Sequence, residues 1–163
     1  VNCILRPKEL NKEKYGIDEV MRFSILKLGY KIDYACCLFP CAPLMTSDDI
    51  MKGYNKIKKN KHKYIFASSD FSHPIERSFK IKDKKIKMLF SEKLMEKSSK
   101  FFSKTFHDTG YFYWAKSSTW KKDNFVYNSQ ASIIKIPNWR AQDIDTMEDL
   151  KKANLIFKSL NKI

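Results

Sequence analysis

The chain alternates segments whose apolar residues have helical spacing with short runs that are continuously apolar. Helical spacing begins at Ile17 and ends before Gly29, recurs after Thr46, and recurs a third time after Thr146. Both threonines precede acidic residues, as N-terminal caps do, and Thr146 with Asp149 fits a capping box. Three helices are therefore predicted. The stripe expected to be buried in the last helix is Leu150, Ala153, Phe157 and Leu160.

The continuously apolar runs predict β-strands. They are VNCIL at the start of the chain and residues 33–39, 63–69, 110–115 and 132–137. Residues 33–39 have the composition of a buried strand in a parallel sheet. Residues 70–104 are lysine-rich and irregular, with a hairpin expected around Asp83 and Lys84. Strands that alternate with helices predict one α/β domain over residues 1–163, with crossover helices on a sheet.

The formal net charge of +14 invites a nucleic-acid interpretation. Bidentate recognition of phosphate or guanine favours arginine, however, and most of the 32 basic residues are lysine. The only arginines are Arg6, Arg22, Arg77 and Arg140. A solvated lysine surface that steers anionic substrates inward is the preferred interpretation, and no nucleic-acid partner is expected.

The remaining composition indicates a cytoplasmic protein without a membrane segment. No stretch approaches the ~18 apolar residues of a membrane span, and nothing at the start resembles a signal peptide. The cysteines are expected to be buried, reduced thiols. They are Cys3, Cys36, Cys37 and Cys41. Because the chain opens at Val1 directly on an apolar run, the start of the parent protein is expected to precede it.

Asp143 and Asp145 are the leading candidates for chemistry. In an extended segment, residues i and i+2 point to the same side, so both carboxylates can aim at one point while Ile144 points inward. Such hard oxygen ligands suit Mg²⁺ or Mn²⁺ shared with substrate phosphates. The pair follows a predicted strand, where open α/β sheets place their ligands. The alternative is that these aspartates only form the acidic start of a helix.

Two further segments have the features of pocket walls. Pro40 and Pro43 fix the chain as it leaves a predicted strand, although a strand stop followed by a helix cap explains them as well. In FHDTGYFYW, an acid and a histidine precede Gly110 and several aromatics. That composition fits a sugar pocket, or an edge strand with surface aromatics. The chain's four glycines are isolated, so it contains no glycine-rich phosphate loop.

Taken in order, these segments resemble the acylneuraminate cytidylyltransferase family. LRPKEL is similar to the family's Arg-Pro segment, CCLFPCAPLMTSDDI to its strand, proline loop and helix, and QDIDTMEDLKKA to its metal motif and last helix. FHDTGYFYW and FSHPIERSFKI resemble segments of the branch that makes CMP-pseudaminic acid. The resemblance implies a Rossmann-like, GT-A-like nucleotidyltransferase fold with a mixed, mainly parallel sheet flanked by helices.

The same resemblance implies an enzyme that transfers CMP from CTP to a nine-carbon acidic sugar and releases pyrophosphate. Pseudaminic acid is the favoured sugar, other sialic-acid-like sugars are alternatives, and Mg²⁺ is the implied cofactor, with Mn²⁺ as its substitute. Asp143 and Asp145 match the catalytic metal pair. The implied substrate-binding residues are Arg6, Phe39, Asp108, Gly110 and Tyr113. A homodimer is expected, with residues 70–104 as a dimerisation or substrate insertion.

The departures from the family pattern limit these expectations. The family's first strand and its Gly-Gly-Ser-Lys-Arg phosphate loop would precede Val1, so this chain alone is not expected to bind CTP productively. Cys41 stands where threonine is usual, and Tyr111 replaces a glutamine. The resemblance therefore defines the class of reaction more closely than the identity of the sugar. Two other classes remain as alternatives: a glycosyltransferase that uses Asp143 and Asp145 to hold a nucleotide-sugar, and a non-catalytic, basic nucleic-acid-binding fragment.

Overall fold

The computed structural model describes residues 3–12, 14–59, 61–122 and 126–160. Within these residues the helices are α1 (Ile17–Lys27), α2 (Ser47–Lys59), α3 (Ser117–Lys122) and α4 (Met147–Leu160). The strands are β1 (Tyr34–Leu38), β2 (Tyr64–Asp70), β3 (Phe79–Lys82), β4 (Lys85–Met88), β5 (Phe106–Lys116) and β6 (Ala131–Lys135). The three predicted helices and the strands predicted after residue 32 are therefore confirmed. Cys3 to Leu5 form no strand, contrary to the prediction, and Val1 and Asn2 lie outside the described residues.

Four strands form one sheet in the order β1-β5-β2-β6. β5 is antiparallel to both β1 and β2, whereas β2 and β6 are parallel. Consequently β1, β2 and β6 run in one direction and only β5 runs against them. A mixed α/β sheet with flanking helices is thus confirmed. The prediction that β1 is a buried, parallel-paired strand is wrong: β5 lies between it and β2, and Leu38 is 50% exposed.

Helices cover both faces of this sheet, as the alternation of side chains along β5 requires. Tyr113 and Ala115 pack on one face with Ile25 of α1 and Trp120 of α3. The neighbouring Phe112 and Trp114 belong to the core of the other face, next to α2. The indole of Trp120 also donates to the Ala35 carbonyl at 3.1 Å, and that of Trp114 to the Ile50 carbonyl at 3.0 Å. Both helical layers are thereby tied to the strands.

A bulge interrupts β5 where it passes β2. Phe66 of β2 faces Tyr113, but Ser68, two residues later, faces Asp108, five residues earlier. Residues 109–112 therefore leave the ladder opposite a single residue, Ala67. Bulges of this kind bend a strand and re-aim its side chains, and they occur often beside active sites. Here the bulge contains Gly110, whose φ is +64°.

The last helix is less buried than its sequence pattern predicts. Thr146 and Asp149 form the expected capping box: the Thr146 amide donates to Asp149 Oδ2 at 2.9 Å, and the Asp149 amide to Thr146 Oγ1 at 3.2 Å. Of the predicted apolar stripe, however, only Ala153 is buried. Leu150, Phe157 and Leu160 are 37%, 54% and 42% exposed because no described element covers them.

Strands β3 and β4 form the predicted hairpin outside the main sheet. Asp83 and Lys84 make its two-residue turn with φ of 52° and 60°, the signs that a type I′ turn requires. Its cross-strand pairs divide it into two faces. The apolar face consists of Phe79, Ile81, Ile86 and Met88, and the basic face of Lys80, Lys82, Lys85 and Lys87.

The expectation that the cysteines are buried is wrong for two of them. All four thiols are free, and Cys3 and Cys41 are exposed. Cys36 and Cys37 in β1 are half-buried, and loss of hydration raises the pKa of Cys37 to about 11 and that of Cys36 to about 12. Among the described helices, none is long and apolar enough to span a bilayer.

Candidate functional site

Residues 141–145, which carry both candidate aspartates, run from β6 towards α4 and are held from two sides. On the side of β5, the hydroxyl of buried Tyr111 donates to the Arg140 carbonyl and accepts from the Gln142 amide at 3.2 Å. On the side of the loop that follows β1, the Ile144 amide donates to the Cys41 carbonyl at 3.2 Å. The loop that follows β1 and the bulge of β5 therefore both fix this segment.

Arg140 anchors the same segment to α2 through a nearly buried ion pair. Its Nη1 and Nη2 donate to Oδ2 and Oδ1 of Asp49 at 2.6 and 2.9 Å, and Nη1 also reaches the Leu44 carbonyl at 3.1 Å. Burial acts to raise the pKa of Asp49, but hydrogen bonds from Arg140 and Thr46 outweigh it and hold the pKa below its usual value. Asp49 is thus an ionised anchor rather than only a helix cap.

Gly110 in the β5 bulge provides the surface on which the Asp143 carboxylate lies. A Cβ atom at Gly110 would stand 2.6 Å from Asp143 Oδ2, closer than any real contact allows. The left-handed φ of this residue, +64°, likewise favours glycine. Two of the residues that the family resemblance implied, Gly110 and Asp143, are therefore in contact.

Asp143 and Asp145 are both exposed, and their charges act on each other. Partial burial and the neighbouring carboxylate of Asp145 raise the pKa of Asp143, with a further contribution from Asp108. Two carboxylates that repel each other at an accessible position can be stabilised by a cation.

The donor set fits Mg²⁺ in one specific way. No cluster of three or more His, Cys, Asp or Glu side chains with metal-binding geometry occurs in the described part of the chain. Mg²⁺, however, is commonly bound by one or two carboxylates and completes its shell with water and substrate phosphates. Asp143 and Asp145 fit that mode of binding, in which water and, when present, the phosphates of a ligand complete the coordination shell.

Asp108 is the centre of a second group of contacts beside Gly110. Its Oδ1 accepts the Gly110 amide at 2.8 Å, and its Oδ2 accepts the hydroxyl of Tyr113 at 2.5 Å and that of Tyr127. Burial, and then the bond to Asp108, raise the pKa of both tyrosines, that of Tyr127 to about 12. The phenols therefore keep their protons and remain donors at neutral pH.

Phe39 connects this group to a pocket that contains Arg6. The rings of Phe39 and Tyr113 meet edge to face with centroids 5.7 Å apart. On its other side Phe39 lines a pocket of about 390 Å³ together with Arg6, Tyr15 and Ile17. Asp108, Gly110, Tyr113 and Asp143 thus form one group, and Arg6 lines a neighbouring pocket whose wall includes Phe39.

Several residues that shape the site were not among the sequence-derived candidates. Asp49 was interpreted as part of a helix start, and Tyr111 only as a departure from the family pattern. Arg140 offered one signal, being the only arginine after Arg77. Tyr127 lies in an unremarkable polar loop, and no signal in the sequence connects it to Asp108.

A mixed α/β sheet with a carboxylate pair on the segment that follows a strand is an arrangement that suits an enzyme acting on phosphate-bearing ligands. Two curated relatives narrow the class. Both are named pseudaminic acid cytidylyltransferase and come from Campylobacter jejuni subsp. jejuni, serotypes O:2 and O:23/36. Each is 33% identical over 126 residues, which cover 77% of this chain and 54% of the relative.

No protein-family model matches the chain. It spans about half the length of the curated relatives that it matches. The chain belongs to the acylneuraminate cytidylyltransferase family, as its motifs indicated, and both relatives carry the name of the pseudaminic acid branch.

Proposed function

We propose that the protein carrying this chain transfers CMP from CTP to a nine-carbon acidic sugar, with pseudaminic acid as the favoured acceptor. The observation that carries this proposal is the placement of Asp143 on Gly110, beside Asp145, in a member of the cytidylyltransferase family. The names of the two relatives support both the nucleotide and the sugar. A GT-A-like nucleotidyltransferase fold and a cytoplasmic location belong to the same proposal.

In this reaction the anomeric hydroxyl oxygen of the sugar attacks the α-phosphorus of CTP. A new P–O bond to the sugar forms, the bond between the α-phosphorus and the bridging oxygen breaks, and pyrophosphate leaves with that electron pair. The hydroxyl proton passes to solvent or to a basic group. Bound Mg²⁺ would offset the charge that develops on the phosphates.

The chain's own residues would hold and orient the reactants. Asp143 and Asp145 would supply the carboxylate ligands of the metal, since both are exposed and their charges act on each other. Phe39 and Tyr113 offer an aromatic wall next to that region. Arg6, which lines a pocket together with Phe39, would pair with an anionic group of a substrate.

The test is an assay of the full-length gene product with CTP, Mg²⁺ and either pseudaminic acid or N-acetylneuraminic acid. The proposal expects stoichiometric CMP-sugar and pyrophosphate, with a higher kcat/KM for pseudaminic acid. Transfer from a ready-made nucleotide-sugar to an acceptor without pyrophosphate release would instead indicate a glycosyltransferase. Absence of both reactions, with salt-sensitive binding of RNA or DNA, would indicate the nucleic-acid-binding alternative.

A further inference from the structure

Asp108 stands in the sugar-binding part of the resemblance, but its hydrogen bonds leave little room for a sugar. A carboxylate has about four acceptor positions. Three are taken: the Gly110 amide bonds to Oδ1, and the hydroxyls of Tyr113 and Tyr127 bond to Oδ2. The side chain is also only partly exposed. Asp108 is therefore already committed to protein donors.

What these bonds hold in place is the backbone of Gly110. An aspartate that accepts from the amide two residues ahead fixes a tight local turn. In this case the turn gives Gly110 its positive φ, within the bulge where β5 has left its ladder with β2. A free bulge would have several backbone conformations available, and the one that this turn holds presents the surface on which the Asp143 carboxylate lies.

Tyr127 adds a contact from a distant part of the chain. It lies in the loop between α3 and β6, and its ring meets Phe66 of β2 edge to face at 5.3 Å. Phe66 in turn stacks on Tyr113 at 6.0 Å. The hydroxyls of both tyrosines therefore reach Oδ2 of Asp108 from rings that a shared aromatic contact keeps in position.

We propose that Asp108 is a positioning residue that sets the Asp143 carboxylate for metal binding through Gly110, and that Tyr127 holds Asp108 in this role. The inference rests on the proposed function, in which Asp143 is a metal ligand. It assigns Asp108 to the metal side of the site instead of to the sugar, and it adds a tyrosine that no motif contains. Residues that support a metal ligand from outside the coordination shell typically change metal affinity by about 10–100-fold when they are replaced.

The test is the Mn²⁺ dissociation constant of the full-length gene product, measured from the electron paramagnetic resonance signal of free Mn²⁺. Mn²⁺ serves as the probe because it accepts the same oxygen ligands as Mg²⁺. Asp108→Ala and Asp108→Asn both remove the carboxylate charge, but only asparagine keeps an oxygen for the Gly110 amide. The difference between these two variants therefore measures what the hydrogen bonds of the residue 108 side chain contribute at constant charge.

We expect Asp108→Ala to bind Mn²⁺ about 10-fold more weakly than Asp108→Asn. Tyr127→Phe should weaken binding by about threefold, because only part of the lost hydrogen-bond energy at Asp108 is transmitted to Asp143. Tyr30→Phe, at an exposed tyrosine in another part of the chain, should leave the dissociation constant unchanged. Thermal unfolding of each variant shows whether it is folded at the temperature of the measurement.

Equal Mn²⁺ affinities for Asp108→Ala and Asp108→Asn would overturn the inference. So would a rise in the KM for the sugar in both variants without any difference in Mn²⁺ affinity, since that is the behaviour of a direct sugar ligand. These outcomes differ from failure of the proposed function itself. In that case the wild-type protein would show no saturable Mn²⁺ binding that depends on Asp143.

Discussion

The Asp143 carboxylate lies against Gly110, at a distance where a single methyl group on the glycine would stand 2.6 Å from Oδ2. Replacement of Gly110 by alanine must therefore displace Asp143 as well as strain the backbone, whose φ is +64°. We expect Gly110→Ala to lose about 1–2 kcal/mol of stability and to abolish tight Mn²⁺ binding. Calorimetric titration of the full-length protein measures the binding.

Gly29→Ala is the matched control for this prediction. Gly29 also has a positive φ, +72°, but a Cβ atom added there would meet nothing within 4 Å. The Gly29→Ala variant should lose a similar amount of stability and keep the Mn²⁺ affinity of the wild type. Equal metal affinity in the two variants would mean that the contact between Gly110 and Asp143 does not support the site.

The ion pair between Asp49 and Arg140 should contribute to stability as well as to the position of the metal segment. Asp49 is 3% exposed. Asp49→Asn therefore leaves the charge of the nearly buried Arg140 guanidinium without a carboxylate partner. We expect a loss of about 3 kcal/mol in the free energy of unfolding, measured in urea. Asp48→Asn, one residue earlier in the same helix turn, breaks only an exposed pair with Lys52 and should change the free energy of unfolding far less.

The contribution of Asp49 should also depend on pH. Because the folded state holds the pKa of Asp49 below its usual value, its stabilisation is fully present above the unfolded pKa of about 3.9 and is lost as pH falls through the folded pKa. The stability difference between wild type and Asp49→Asn should be constant above about pH 5 and shrink below about pH 4. A difference that grows on acidification would contradict this assignment.

Local signals in the sequence were sufficient for most of the helices and strands, including the hairpin turn at Asp83 and Lys84 and the capping box of α4. They were not sufficient for strand pairing. The antiparallel partner of β1 lies more than 70 residues further on, and the bulge at Gly110 is a shift in the register between β5 and the distant strand β2. Periodicity along a single segment carries no information about either feature.

At the candidate site too, local features could be predicted from the sequence and long-range contacts could not. Asp143 and Asp145 were proposed as metal ligands from their spacing and from the family resemblance, and the structure places Asp143 at Gly110. The residues that hold the site together were missed because their partners are distant in sequence: Arg140 lies 91 positions from Asp49, and Tyr127 lies 19 from Asp108. The buried stripe predicted for α4 was wrong because amphipathic spacing identifies an apolar face but not what covers it.

The hairpin offers a test of the expected homodimer. Ile81 and Ile86 pair across its apolar face and are 74% and 68% exposed, an arrangement typical of an interaction surface. We predict that Ile81→Gln shifts the full-length protein from dimer to monomer in light scattering coupled to size-exclusion chromatography. Lys80→Gln places the same side chain on the basic face and should leave the dimer intact. A dimer unaffected by Ile81→Gln would place the interface elsewhere.

The central proposal is that Asp143 and Asp145 together hold the metal ion used in cytidylyl transfer. The most direct test is kcat for CMP-sugar formation from CTP and pseudaminic acid by full-length Asp145→Asn, compared with Glu148→Gln, which removes the same charge from an exposed position three residues later. We predict a loss of about 100-fold or more for Asp145→Asn and near wild-type turnover for Glu148→Gln, with both variants folded. Wild-type turnover in Asp145→Asn would contradict the joint role of the two aspartates.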